Sequence, residues 1–282
     1  MSRRAAVFNI CATLCMLGAC GSRTAISPAA TLAQASTLRG AQAFARGDLT
    51  SAERDYTNAL QIHESLGHTP ERAATLLSLA RVAAQAGRSE QALAAINQVL
   101  ADEPQLGTPM VITAHGRAAS LYLAREDTQR AGQHLTQATT ACAGSCTDVG
   151  ALAVLRARLA LAQRQPSQAL KLANDALAMP SLAAATPPGA TPQASAERAN
   201  AFRVQAQALS ALGQHDAAVT AAGVALDLDQ SLGLAQRVLL DLQLLANAHR
   251  SRGDTGMAHR YQGLADRAQA AGQALRGDVQ AD

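Results

Sequence analysis

The stretch from Leu38 to Ala59, LRGAQAFARGDLTSAERDYTNA, decides how the rest of the chain is read. It sets Gly40, Ala52 and Ala59 at steps of twelve and seven residues, with Gly47-Asp48 as a turn between two helical runs. The same spacing returns in five further triplets: Ala80, Ala92 and Val99; Ala119, Ala131 and Ala138; Ala157, Ala169 and Ala176; Ala206, Ala218 and Ala225; Ala246, Ala258 and Ala265. A period of about 40 residues is the mark of a solenoid, in which each unit buries its apolar face on its neighbours.

Composition supports helices throughout. Of the 282 residues, 48% are hydrophobic but only 2% aromatic, and there is no Trp. Ala and Leu carry the apolar share, and Ala is the best helix former and the smallest side chain for close helix approach. The expected class is all-α. The basic residues are 23 Arg and a single Lys, Lys171, against 21 acidic residues, for a net charge of +3. Removing Arg3 and Arg4 with the leader described below leaves 22 basic residues. That balance argues against a nucleic-acid surface, which needs a clustered basic footprint.

Each unit reads as helix, turn, helix. In the first, Ala41–Arg46 ends one helix, Gly47 turns the chain, and Thr50 or Ser51 caps the next. In the second, Gly87 turns, Ser89 caps, and Ala92, Leu93, Ile96, Val99 and Leu100 form an apolar face that Pro104 ends. The third unit replaces the turn glycine with Glu126-Asp127 and the fourth with Arg164-Gln165-Pro166, while Gly213 and Gly253 restore it. The step from Ala169 to Ala218 is 49 residues where the others are 38 to 40, and the surplus is ATPPGATPQAS, residues 185–195. This is a loop, either a tolerated surface insertion or a hinge between a four-unit and a two-unit block.

The pattern is similar to the tetratricopeptide repeat in its longer variety, over roughly residues 33–272. The small residue midway along the first helix, the opening alanine of the second and the apolar position two turns later all match. The family's Trp is missing, and its aromatic sites survive only as Tyr56 and Tyr122. The resemblance implies a right-handed superhelical solenoid of six helix-turn-helix units, whose concave face, made by the first helices, binds peptides or proteins. With that face turned inward, Arg81, Arg117, Arg158, Arg203 and Arg250 line the groove together with Gln85, Gln207 and Asn247. Guanidinium pairs bidentately with carboxylate, so the series reads as a ladder for an acidic or C-terminal peptide. The plainer alternative is a solvated face, or pairing with acids of the same chain. On the ladder reading, replacing Arg158 and Arg203 weakens partner binding without lowering the melting temperature. The first unit's face, Gln34, Thr37, Ala41 and Phe44, carries no arginine.

The first 20 residues, MSRRAAVFNICATLCMLGAC, have a positive start and a 13-residue apolar core from Ala5 to Leu17. That core is too short to span a bilayer and has the layout of an export signal. Leu17-Gly18-Ala19-Cys20 resembles the lipobox of bacterial lipoproteins. Carried over, the resemblance implies cleavage before Cys20, acylation of Cys20 and, with Gly21 following rather than Asp, sorting to the outer membrane facing the periplasm. The alternative is an ordinary secretory signal. The expected division is therefore leader 1–19, lipidated tether 20–32, units one to four over 33–184, loop 185–195, units five and six over 196–275, and tail 276–282.

Cys142 and Cys146 remain once Cys11 and Cys15 leave with the leader and Cys20 takes lipid. An oxidising compartment favours a bridge between them, which in the chain-entropy model contributes about 2 kcal/mol. A metal pair would need further ligands, and a redox couple usually has closer spacing. His63-Glu64 with His68 does not fit a zinc helix, because ligands on one face stand four residues apart, not five. Arg-Gly-Asp occurs at Arg46, Arg252 and Arg276, the first two in interhelix turns that want Gly and a capping Asp anyway. The chain contains no phosphate-loop, dinucleotide or nucleophile-elbow motif. No enzyme activity, metal or cofactor is expected. The function expected is an outer-membrane-anchored adaptor that recruits an envelope protein in pilus, secretion or outer-membrane assembly. The alternative is a regulator or subunit of a peptidoglycan-synthesis or remodelling enzyme.

Overall fold

The computed structural model describes residues 27–144, 146–183 and 191–278, with side chains to residue 273. Its helices pair into six hairpins. These are α1 (Pro28–Ala45) with α2 (Leu49–Leu66), α3 (Thr69–Gln85) with α4 (Ser89–Ala101), and α5 (Thr108–Ala124) with α6 (Thr128–Cys142). Next come α7 (Val149–Ala162) with α8 (Pro166–Ala178) and a single-turn α9 (Pro180–Ala183). The series ends with α10 (Pro192–Ala211) against α11 (His215–Ser231) and α12 (Ala235–Ser251) against α13 (Thr255–Asp278). Each hairpin also packs on the next, so the molecule is an all-α repeat solenoid.

Close packing explains the period. Gly40 is buried, and the other seventeen repeat positions named above are each at most 2% exposed. At Gly40 even a methyl group is crowded, because a Cβ there would approach the ring carbons of buried Tyr56 to 3.0–3.1 Å. Alanine at the other positions keeps adjacent backbones near one another while still favouring helix.

The six turns share one geometry. A left-handed residue is followed by one capping residue and then the second helix. The left-handed residues are Gly47, Gly87, Glu126, Arg164, Gly213 and Gly253, with φ from 59° to 87°. The next amide donates back into the last turn of the preceding helix, as in Asp48 to the Ala43 carbonyl, Arg88 to that of Ala83 and Gln165 to that of Ala160, at 2.8–3.0 Å. This is the Schellman arrangement, which satisfies helix-end carbonyls. It also corrects two expected caps. Asp48, not Thr50 or Ser51, caps α2 by accepting from the Ser51 amide at 2.9 Å. Ser89 is the first helical residue of α4, and Arg88 holds the capping position without a side-chain cap bond. The left-handed residue reverses the chain in one step, so the helix starts earlier than propensity alone indicates.

The expected loop 185–195 is also shorter at its far end. Thr191 caps α10 by accepting from the Ala194 amide at 3.1 Å, and Pro192–Ser195 form its first turn. Residues 184–190 lie outside the described residues, as do the leader and Cys20. Across this point α10 packs on both α7 and α8, and Val154, Ala173, Leu182, Ala201 and Val204 share one apolar cluster. No helix among the described residues is long and apolar enough to cross a membrane.

Ion pairs stitch consecutive units at the turn edge. Arg88 holds Glu53 bidentately at 2.9 and 2.7 Å, Arg125 meets Glu90 at 2.6 Å, and Arg252 meets Asp216 at 3.1 Å. Each pair joins positions about one repeat apart. Solvent screens exposed pairs of this kind, so they guide the register of the stack more than they stabilise it.

Candidate functional site

Five first helices, α3, α5, α7, α10 and α12, line one groove with a cavity volume of about 660 Å³. Its cations are Arg81, Arg117, Arg158, Arg203 and Arg237, and its acids are Asp148 and Glu197. Gln207 lines it as well. Arg250 and Asn247 do not: Arg250 donates to Asn247 Oδ1 at 2.6 Å on the exposed surface. Gln85 is exposed outside the groove.

The rest of the ladder divides by what each guanidinium touches. Arg81 lies over the Phe44 ring with its Cζ 4.2 Å from the centroid, a cation–π contact with the first hairpin. Arg117 donates to the Leu77 carbonyl at 2.6 Å, Arg158 to Ser120 Oγ at 3.2 Å, and Arg237 to the Ala196 carbonyl at 3.2 Å. Each of these three reaches back one unit, to a neutral oxygen. Among the described residues, none of the three has a carboxylate within 4.0 Å. Burial above all, with Arg81 nearby, lowers the pKa of Arg117. Burial likewise lowers that of Arg158, where Arg203 and Arg237 add to it and Glu197 opposes. Arginine stays charged at such sites, so the groove holds several poorly solvated cations with donors to spare.

Arg203 is different, because it also pairs with acids of the same chain. It lines the groove, but Nε donates to Asp241 Oδ1 at 2.7 Å and Nη2 to Asp229 Oδ2. Both acids are fully buried. Removing Arg203 would leave two buried carboxylates unpaired, so its replacement would destabilise the fold as well as alter the groove. The residues that sequence reasoning missed are Arg237, Asp229 and Asp241. The acids leave a trace in the chain, since each continues a buried helical face: Ala222, Ala225 and Asp229 in α11, and Asp241, Leu245 and Ala248 in α12.

Two other places bear on the sequence-based expectations. A second cavity of about 770 Å³ lies between the first hairpin and α3, lined by Gln34, Thr37, Ala41, His63, His68 and Glu71 among others, and no arginine lines it among the described residues. His63 is buried there with Nδ1 unpartnered, but among the described residues no three metal-ligating groups are placed to hold an ion. Cys142 and Cys146 are joined by a disulfide, Cα to Cα 5.0 Å, closing the turn after α6 where Ala143 and Gly144 take positive φ. That turn leads to Asp148 on the groove wall.

Comparison with known proteins agrees with this fold. Residues 31–102 match the tetratricopeptide repeat family. The fold is of the tetratricopeptide type. No curated protein sequence matches the chain. Among solved structures, the apo form of RapI superposes with a TM-score of 0.69 at 12% identity, over 85% of this chain and 84% of that one. A Podosopora anserina putative kinesin light chain with TPR-like repeats gives 0.52 at 20% identity, over 70% and 95%. Pseudomonas aeruginosa pilF gives 0.52 at 15% identity, over 86% and 93%. At these identities the likeness is one of fold. Solenoids of this type generally bind other proteins, and in this chain the groove is the surface such binding would use.

Proposed function

We propose that the chain is an adaptor of the cell envelope, anchored in the outer membrane through lipidated Cys20, which holds an acidic segment of a protein partner in its groove. One observation carries the binding half. Arg117, Arg158 and Arg237 converge on one groove, each spends a single hydrogen bond on a neutral oxygen, and none has a carboxylate partner among the described residues. Partly buried cations are costly to hold without a counter-charge, and a partner's carboxylates would supply it. The leader and Cys20 support the address, and the tetratricopeptide-type scaffold supports a protein rather than a small-molecule partner.

The test compares the wild type with an Arg117→Gln/Arg158→Gln variant, each captured from detergent-solubilised envelope and analysed by mass spectrometry. The wild type is expected to retain a stoichiometric partner. The double variant is expected to lose it, with affinity down about tenfold or more, while its melting temperature changes by only a few degrees. A partner retained equally by both would refute the groove reading. Soluble release of a Cys20→Ser chain, with the partner still bound, would separate the anchor from the groove.

A further inference from the structure

The floor of the groove at the fifth and sixth hairpins rests on an unequal set of buried charges. Asp229 on α11 and Asp241 on α12 are both fully buried, and Arg203 on α10 is the one guanidinium within ion-pair distance of either among the described residues. Arg203 divides its donors between them, with Nε and Nη2 on Asp241 at 2.7 and 3.2 Å, Nη2 also on Asp229 Oδ2, and Nη1 on Asn200 Oδ1 at 2.6 Å. Asp229 Oδ1 is buried without a hydrogen-bond partner. With both acids ionised, this triad carries one uncompensated negative charge where water does not reach. A proton on the Asp229 carboxyl cancels it.

The triad is also part of the groove. Arg203 lines it, and Arg237, one helical turn before Asp241, lines it and faces Asp229. The charged groups that act on Asp229 are Arg203 from α10 and Asp241 and Arg237 from α12, with none from its own helix. Arg158, on α7, feels both Arg203 and Arg237. Among the described residues, no histidine lines the groove.

We propose that the Asp229–Arg203–Asp241 triad is a proton-operated regulator of the groove, strengthening capture of an anionic partner when Asp229 is protonated and weakening it when Asp229 ionises. The proposal rests on the anion-binding reading given above. Its mechanism is electrostatic. Ionisation places a buried negative charge beneath Arg237 and Arg203, drawing their field inward, and protonation returns that field to the ligand. Burial, with Asp241 beside it and against the pull of Arg203, raises Asp229 from its ordinary 3.8 to about 6. The response therefore falls within a range that an envelope compartment can experience. A unit charge about 10 Å from a ligand carboxylate, at an effective dielectric near 20, changes affinity by roughly tenfold before salt screening reduces it.

The test uses the full chain in detergent micelles and a rhodamine-labelled N-acetyl-tetraglutamate peptide, whose carboxylates stay ionised across the range, with anisotropy read from about pH 5.5 to 7.5. Wild-type affinity is expected to rise about three- to tenfold as pH falls. Asp229→Asn should be flat and bind at the upper end of that range as tightly as the wild type does at the lower end. Asp241→Asn, which removes the other carboxylate, should be flat as well, so that a folding fault in one variant does not decide the matter. Glu197→Gln should tighten binding at every pH and keep the slope. A slope that survives in both variants, or a wild type that binds without pH dependence, overturns the regulator and leaves the groove reading standing. No binding by any protein at any pH overturns the groove reading and the regulator with it.

Discussion

Asp229→Asn, unfolded with urea at a series of pH values, reads the charge imbalance of the α10–α12 core without any ligand. In the folded chain Asp229 titrates at about 6, against an ordinary value of 3.8, because burial disfavours its ionised form. A carboxyl whose pKa is raised on folding contributes stability that is fully present below the unfolded pKa and lost as pH climbs through the folded one. Roughly two pKa units at 1.36 kcal/mol each correspond to about 3 kcal/mol, of which about 2 kcal/mol is lost between about pH 4.5 and pH 7.5. The asparagine cannot ionise, so the variant should lack this loss. Subtracting the two stability curves, from circular dichroism at each pH, removes the contribution of every other titrating group. The difference should move by about 2 kcal/mol in favour of the variant as pH rises across that window. A difference that stays constant within about 0.5 kcal/mol, or moves the other way, would show that Arg203 neutralises Asp229 fully and would refute the reasoning.

Two further tests probe the rest of the array. Arg164, exposed and left-handed at φ 59°, stands where four other units have glycine, so Arg164→Gly should raise the melting temperature by about 2–4 °C, read by differential scanning calorimetry, while a fall would mean that the arginine side chain outweighs the strain of its backbone. His115 and His134 face each other Nδ1 to Nδ1 at 2.9 Å across α5 and α6, and burial first, with His115 acting on His134, lowers both pKa values. A base whose pKa is depressed on folding loses stability as pH falls below its unfolded value near 6.5, so the wild type should weaken toward about pH 5. His134→Phe keeps the stack on Tyr122 and should flatten that part of the urea-unfolding profile; an unchanged slope would clear the pair of the effect.

Much of the fold was legible because the repeat is enforced by contact. A position that touches a neighbouring backbone must be small in every unit, so the twelve- and seven-residue steps appear in the chain itself, and all eighteen positions are buried. The helix starts were less legible. Capping propensity points to Ser89 or Ser51, but the left-handed residue one place before the cap sets the boundary, and that conformation is held by glycine in some units and by Glu126 or Arg164 in others. Four of the ladder's five arginines do reach the groove. Arg250 does not, since it follows Ala246 by four residues and so lies only about 40° round the helix from the packed face, pointing to the unit's flank. Arg237 takes that place from the other end of α12, because the groove crosses the helices obliquely. Asp229 and Asp241 pair with Arg203 across 26 and 38 residues, a partnership created by stacking and invisible to local spacing.

The arginine bonds also bear on how a partner would act on the whole array. Arg117 to Leu77, Arg158 to Ser120 and Arg237 to Ala196 each join one unit to the unit before it, over 38 to 41 residues. In a solenoid, stability is close to a sum of unit terms and nearest-neighbour interface terms. The groups that would hold a ligand are thus the same groups that bridge the interfaces. A carboxylate that adds a bond to a guanidinium while its carbonyl bond persists would tighten both at once, since the side chain is already ordered. A carboxylate that pulls the guanidinium away would trade an interface bond for a ligand bond. The remaining donors on each guanidinium favour the first outcome, because one bond to a neutral oxygen leaves about four N–H groups free. Binding at the centre of the groove would then stiffen the stack from the second hairpin to the sixth, and the first hairpin would follow through Arg81 over Phe44 and the bidentate Arg88–Glu53 pair.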